Sequence, residues 1–217
     1  MYARLSALFC LLSVSAAAGD LETLRGSNVE LYLKSDGGSS PSVLNEMKSE
    51  LASLMRSVGV RIGWWGPTNQ LSGVEGNLVV IDLRGTCTTP EVNAATLPVP
   101  NFSALASSAV ADGHVLPFSW VDCNAVNSFL ADSMATMPGP QRAHVYGCAL
   151  ARLLAHEMYH VLTQNIDHEE SGIAKAQFTP LDLITDRLEF VGSIHRPRPL
   201  DQSTPLWTSM PDLDGGK

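Results

Sequence analysis

A chain of 217 residues with 45% hydrophobic and 17% charged side chains can build one domain with a real core. Its formal charge of −8 argues against nucleic acid or an anionic bilayer as a partner. The cysteines show no C-x-x-C spacing, which argues against a cysteine-ligated structural zinc.

The N-terminus reads as an export signal spanning residues 1–18. Arg4 supplies the charge, Leu5 to Ser15 the apolar run, and Ala16-Ala17-Ala18 the small residues before cleavage. The run is too short for a membrane span, and Cys10 lies inside it rather than after a lipid-attachment site. No other window is long and apolar enough to cross a bilayer. The expectation is a secreted or periplasmic protein: removing 18 of 217 residues leaves 199, and losing Arg4 moves the charge from −8 to −9.

Asn28 to Leu33 alternates and reads as a strand, closed by Asp36-Gly37-Gly38. Pro41 to Val58 places Val43, Leu44, Met47, Leu51, Leu54, Met55 and Val58 at helical spacing. Val60 to Trp65 is a second strand. Asn77 to Leu83 is a continuous apolar strand of the kind that sits centrally in a sheet. Cys87 to Asp112 is rich in Ala, Ser, Thr and Pro without periodicity, and reads as a long loop. His114 to Cys123 is a further strand. Pro117 cannot donate to a ladder, so this strand is expected at an edge. Asn124 to Met137 reads as helix. Arg142 to Gln164 is a long one, started near Gly139-Pro140 and ended by a left-handed Asn165. A last helix begins at Thr179-Pro180 and carries Leu181, Leu183, Ile184 and Leu188. Residues 19–195 form the expected domain, and the proline-rich 196–217 a tail.

Cys87 follows one strand and Cys123 ends another, so they can meet at one end of a sheet. Export permits a disulfide there, and closing the loop of about 36 residues stabilises by roughly 3–4 kcal/mol. Cys148 reads as a small buried apolar group.

The long helix carries His156-Glu157-Met158-Tyr159-His160. Histidines four apart project from one helical face and can grip a single Zn²⁺, while the adjacent glutamate can hold and deprotonate a metal-bound water. Chance supplies H-E-x-x-H in roughly one chain in a few hundred of this length, so context decides. Leu150, Leu153, Leu154, Val161 and Glu157 cluster on one side of the helix, where the leucines can anchor it in a core, with His156 and His160 on the adjacent flank. A catalytic zinc takes three protein ligands and keeps one open position. His168 is the nearest third candidate. Asp167, Glu169, Glu170 and Glu189 are its rivals, and His114, His144 and His195 lack a spacing argument.

His156, Glu157, His160 and His168 resemble the motif of the zincin metallopeptidases, nearest to the metzincin group, whose pattern is H-E-x-x-H-x-x-G-x-x-H. Thr163 stands at the usual glycine and the third histidine comes two residues late, with Asn165-x-x-His168 in place of glycine-x-x-histidine. The stretch His156 to Lys175 also resembles uncharacterised secreted bacterial zincin-type proteins. The resemblance implies an α+β fold: a zincin-like mixed sheet with an edge strand over the cleft and a long active-site helix. The order strand-helix-strand-strand-strand-helix before the motif agrees with it. It further implies peptide hydrolysis with zinc as cofactor, Glu157 as general base and a peptide or protein substrate. That substrate would lie along a rim at Leu116, Phe118 and Trp120. A methionine turn beneath the metal has Met210 as its candidate. Two other readings stand beside this one. One is a non-catalytic zinc module, which has no need of Glu157; the other is a site with Glu189 as third ligand.

Overall fold

The computed structural model describes residues 24, 26–65, 77–89 and 104–191. The expected signal at 1–18, the loop after Trp65, His195, Met210 and the tail at 196–217 lie outside these residues. The described residues form a mixed α+β structure of five strands and four helices. In chain order these are β1 (Asn28–Ser35), α1 (Pro41–Ser57), β2 (Arg61–Trp65), β3 (Asn77–Arg84), β4 (Ala106–Ala111), β5 (His114–Asp122), α2 (Cys123–Met134), α3 (Gly139–Thr163) and α4 (Pro180–Ile184). The sheet order is β2-β1-β3-β5-β4. Four strands run parallel, and β4 runs antiparallel to β5.

The central strands bury one face. Val29 and Leu31 of β1, and Val79, Ile81 and Leu83 of β3, are fully enclosed, as period-two alternation requires. α1 answers with Val43, Met47, Leu51, Leu54 and Met55 on one stripe. Pro41 opens it with a preset φ. Gly59 closes it at φ 83°, with Gly59 N–H donating to Arg56 O and Val60 N–H to Met55 O, a Schellman ending.

The edge is not where Pro117 put it. β5 is an inner strand, and β4, read from sequence as part of a patternless loop, is the edge. Two physical facts explain this. First, Asp112 and Gly113 both take positive φ, 51° and 77°, which makes a two-residue hairpin loop joining β4 to β5. Second, Ser108 pairs with Ser119 and Val110 with Val115, so Ala109 alone faces Leu116, Pro117 and Phe118 in a bulge. Pairing with β3 begins only at Phe118. The proline therefore sits where neither neighbour needs its missing donor.

α3 is the axis of the molecule. It packs along α1 and also touches β4, β5, α2 and α4. From Val145 to Val161 every residue of it is buried. Gly147 lets it approach α1 closely: a Cβ there would lie 2.6 Å from Glu46 Cβ and 2.8 Å from Val43 O. Arg152, 3% exposed, donates from Nε and Nη2 to Glu50 Oε1 on α1 and from Nη1 to Leu183 O on α4. One guanidinium thus ties three helices together.

The helix ends at Gln164, which takes the left-handed conformation (φ 52°, ψ 33°) expected for Asn165. α4 is also shorter than its apolar spacing suggested. Thr179 and Asp182 form a capping box at its start, but Thr185 is already extended, so Leu188 and Glu189 lie on irregular chain. Leu188 still packs against the core without helical structure. Cys87 and Cys123 form the expected disulfide, and Cys148 is a buried free thiol. Among the described residues no helix is long and apolar enough to cross a membrane.

Candidate metal centre

Helical spacing places His156 and His160 one turn apart, with ring centroids 4.6 Å apart. Each ring is oriented by a main-chain carbonyl. His156 Nδ1 lies 2.8 Å from Ile173 O, and His160 Nδ1 lies 2.6 Å from Asn165 O. A carbonyl only accepts, so each Nδ1 carries the proton and each Nε2 is left with a bare lone pair. Those two Nε2 atoms face each other at 3.0 Å. Two lone pairs so close repel unless a cation lies beside them. A tetrahedral ion with ligands at about 2.1 Å holds two nitrogens about 3.4 Å apart, close to the spacing found here.

His168 joins them from the loop beyond the helix. Its ring stacks on that of His156 at 5.2 Å and meets that of His160 edge-on at 4.8 Å. One nitrogen from each of the three histidines falls in a group whose members all lie within 4.8 Å of one another, enough to hold a metal ion. Among the described residues this is the group that qualifies; Asp167, Glu169, Glu170 and Glu189 do not belong to it. The loop reaches this point through a local turn. Asn165 Oδ1 accepts from Asp167 N–H while Asn165 O accepts from His160, so one residue turns the chain and fixes a ring. Farther on, Glu169 N–H donates to Ala174 O and Ile173 N–H to Glu189 O. Glu189 thus contributes its backbone carbonyl to the loop, and its side chain is exposed.

Burial shapes the charges. Enclosure lowers the His156 pKa to about 4, against a rise from its bond to Ile173 O, and the neighbouring rings lower it further. Enclosure also lowers that of His160. Both are neutral at pH 7, the form that binds metal. Glu157, 5% exposed, is pushed by burial up to about 7, with the Ser108 hydroxyl pulling it back. Ser108 Oγ lies 2.7 Å from Glu157 Oε2 and 2.9 Å from Ser119 Oγ. Phe178 and Tyr159 brace His156 and His160 in edge-to-face contact, with ring centroids 5.5 Å and 5.2 Å apart.

The three histidines and Glu157 open on a cleft of about 300 Å³. Its other walls are Ala106, Ser107, Ser108 and Val110 of β4, Val115 of β5, and Ile166 and Ala176 from the loop. Leu116, Phe118 and Trp120, expected as the rim, do not line it. Ser119 faces Glu157, so Phe118 and Trp120 on either side point to the opposite face of the sheet. There Phe118 is 46% exposed, and Trp120 lies under the Arg84 guanidinium at 4.7 Å. Sequence reasoning missed Ser108 and Ser119. Asp112-Gly113, a two-residue hairpin loop, was a signal for a strand before it, but its regular register would set Ser108 against Pro117; the bulge is what brings Ser108 opposite Ser119. His144, read as ordinary, pairs with Glu46 at 2.8 Å on the surface. The chain matches no known family model, no curated protein and no solved structure.

Proposed function

We propose that this chain is a metal-dependent hydrolase with a zincin-like architecture, its ligands being His156, His160 and His168. On this reading its particular activity is the cleavage of peptide bonds outside the cytoplasm, as a secreted or periplasmic zinc peptidase. The observation that carries it is the pair of bare Nε2 atoms 3.0 Å apart, opening on a cleft shared with a buried carboxylate.

A divalent ion held there would supply Lewis acidity, polarising a carbonyl and acidifying water. Zinc suits three neutral imidazoles with a position left open. The chain's own groups supply the rest. Glu157 presents a carboxylate to the cleft, with Oε2 fixed by Ser108, where it accepts a proton from water and returns it to the departing amine. Among the described residues β4 is an edge strand of the sheet and lines the cleft, so an extended peptide can pair along it. That favours a polypeptide over a small ester or amide.

The competing reading, a non-catalytic zinc module, leaves Glu157 without purpose. Among the described residues its carboxylate forms no ion pair, and its hydrogen-bond partner is the Ser108 hydroxyl. Burying such a group costs free energy that a purely structural site would avoid. The test is elemental analysis of the purified protein together with a broad peptide-library assay on wild type and Glu157→Gln. We expect one zinc per chain in both, and a loss of turnover in the variant of at least about 100-fold. Undiminished turnover in Glu157→Gln would refute the base assignment, and zinc without cleavage of any peptide would favour the module.

A further inference from the structure

Glu157 is held by an ordered chain of hydroxyls that begins in the sheet. Ser119 is 4% exposed on the inner strand β5, and Ser108 stands opposite it on the edge strand β4. Their Oγ atoms are 2.9 Å apart, and Ser108 Oγ is 2.7 Å from Glu157 Oε2. A serine has one proton to give, and a carboxylate only accepts. Ser108 therefore donates to Glu157, which obliges Ser119 to donate to Ser108. With Glu157 ionised, as a general base must be, the direction of both bonds follows from donor count. Ser108 Oγ also lies 3.4 Å from the main-chain O of Glu157, a second contact to the same residue.

We propose that Ser108 is the positioning residue of the reaction, with Ser119 acting through it. Resting on the peptidase reading, this role makes the strand on which substrate would dock also the strand that aims the base. Any substrate that pairs along β4 lies beside Ser107 and Ser108, and the hydroxyl of the latter locks one carboxylate oxygen while the other is left for water. Two bonds in series, one of them to a charged acceptor, restrict the carboxylate more than burial alone would.

The experiment uses the zinc-loaded full chain, with Ser108→Ala, Ser108→Thr, Ser119→Ala and the double alanine variant. A charge-assisted hydrogen bond lost in the transition state lowers the rate about tenfold, so Ser108→Ala is expected to reduce kcat by about that factor with KM within about twofold. Ser108→Thr, which keeps the hydroxyl and suits a strand, should recover most of that loss. Ser119→Ala should cost less, and the double variant no more than Ser108→Ala alone, because the two act in series. Zinc content should stay at one per chain throughout. A thermal-unfolding cycle with Glu157→Ala gives a readout independent of turnover: the melting-temperature loss from Ser108→Ala should shrink by at least half when Glu157 is absent. Wild-type turnover with an unchanged kcat in Ser108→Ala would overturn this inference alone, as would a full stability loss in the Glu157→Ala background. A wild type that cleaves no peptide would overturn the peptidase reading and this role together.

Discussion

Gly147→Ala sets two opposing effects against each other inside the helix that carries the histidines. Alanine in place of glycine within a helix ordinarily stabilises by about 1 kcal/mol. At this position, however, the new methyl group would lie 2.6 Å from Glu46 Cβ, 2.8 Å from Val43 O and 3.0 Å from Met47 N. Ordinary contact begins near 3.4 Å, so α1 and α3 must part by roughly 0.6–0.8 Å. Val43 O and Met47 N are main-chain atoms and cannot swing aside. Parting the helices also stretches the Arg152–Glu50 bonds and loosens Met47 and Leu51, both fully enclosed in the core. Overpacking of this kind costs about 1–3 kcal/mol, and because the obstacles are rigid we expect the upper part of that range. The net effect is a destabilisation of about 1–2 kcal/mol, or a melting temperature lower by about 5 °C. Gly139→Ala is the control, since a methyl group there meets nothing within 4 Å and should leave the melting point unchanged or slightly raised. Differential scanning fluorimetry on both variants decides it. A Gly147→Ala protein that melts at or above the wild type would show that the close helix contact does not constrain the fold.

Replacing Cys87 and Cys123 by serine removes a cross-link across a sequence separation of 36 and should destabilise by about 4 kcal/mol. Thermal unfolding of the double variant would disprove this if it matched the oxidised wild type. Asp182 gives a pH dependence of defined sign. Burial pushes its carboxyl up, but hydrogen bonds from Lys175 and Thr179 outweigh that and hold it at about 2, below the ordinary 3.8. The stabilisation is therefore complete above about pH 4 and lost as the pH falls towards 2. The wild type should exceed Asp182→Asn by on the order of 1 kcal/mol at pH 5, with the gap closing by pH 2; a gap constant across that range contradicts the assignment. Finally, His168→Ala should weaken zinc binding by at least about tenfold in a competition titration with a chromophoric chelator, while Glu189→Ala should not. The reverse order would move the third ligand to Glu189.

The parts of this molecule that were legible in its sequence are those where one periodicity dominates. β1, α1 and the long histidine helix carry apolar residues at strand or helix spacing and β3 is a continuous apolar run, and their positions follow to within a few residues. His168 was nominated by proximity, and it does lie beside the helical pair. β4 was hidden because Ala106-Ser107-Ser108-Ala109-Val110-Ala111 has small side chains, low strand preference and no apolar alternation. Its strand character comes from its partner and from the Asp112-Gly113 loop, not from its own composition. Pro117 misled for a related reason. The absence of a donor excludes a residue from a regular ladder, and the bulge opposite Ala109 removes the ladder at that point. With the edge misassigned, the rim followed it to Leu116, Phe118 and Trp120. Ser108 and Ser119 could not be seen as a pair until the hairpin register was known.

The loop between Asn165 and Ile173 supplies both carbonyls that orient the helical histidines, and it also delivers His168. No side-chain substitution can delete a main-chain carbonyl, so the protonation pattern of the two rings is insulated against point mutation in a way that a carboxylate partner would not allow. The same economy makes the loop's length its weak point: one residue gained or lost would misplace two acceptors and a ligand at once. Insertions and deletions, more than exchanges, are the changes this centre could not absorb.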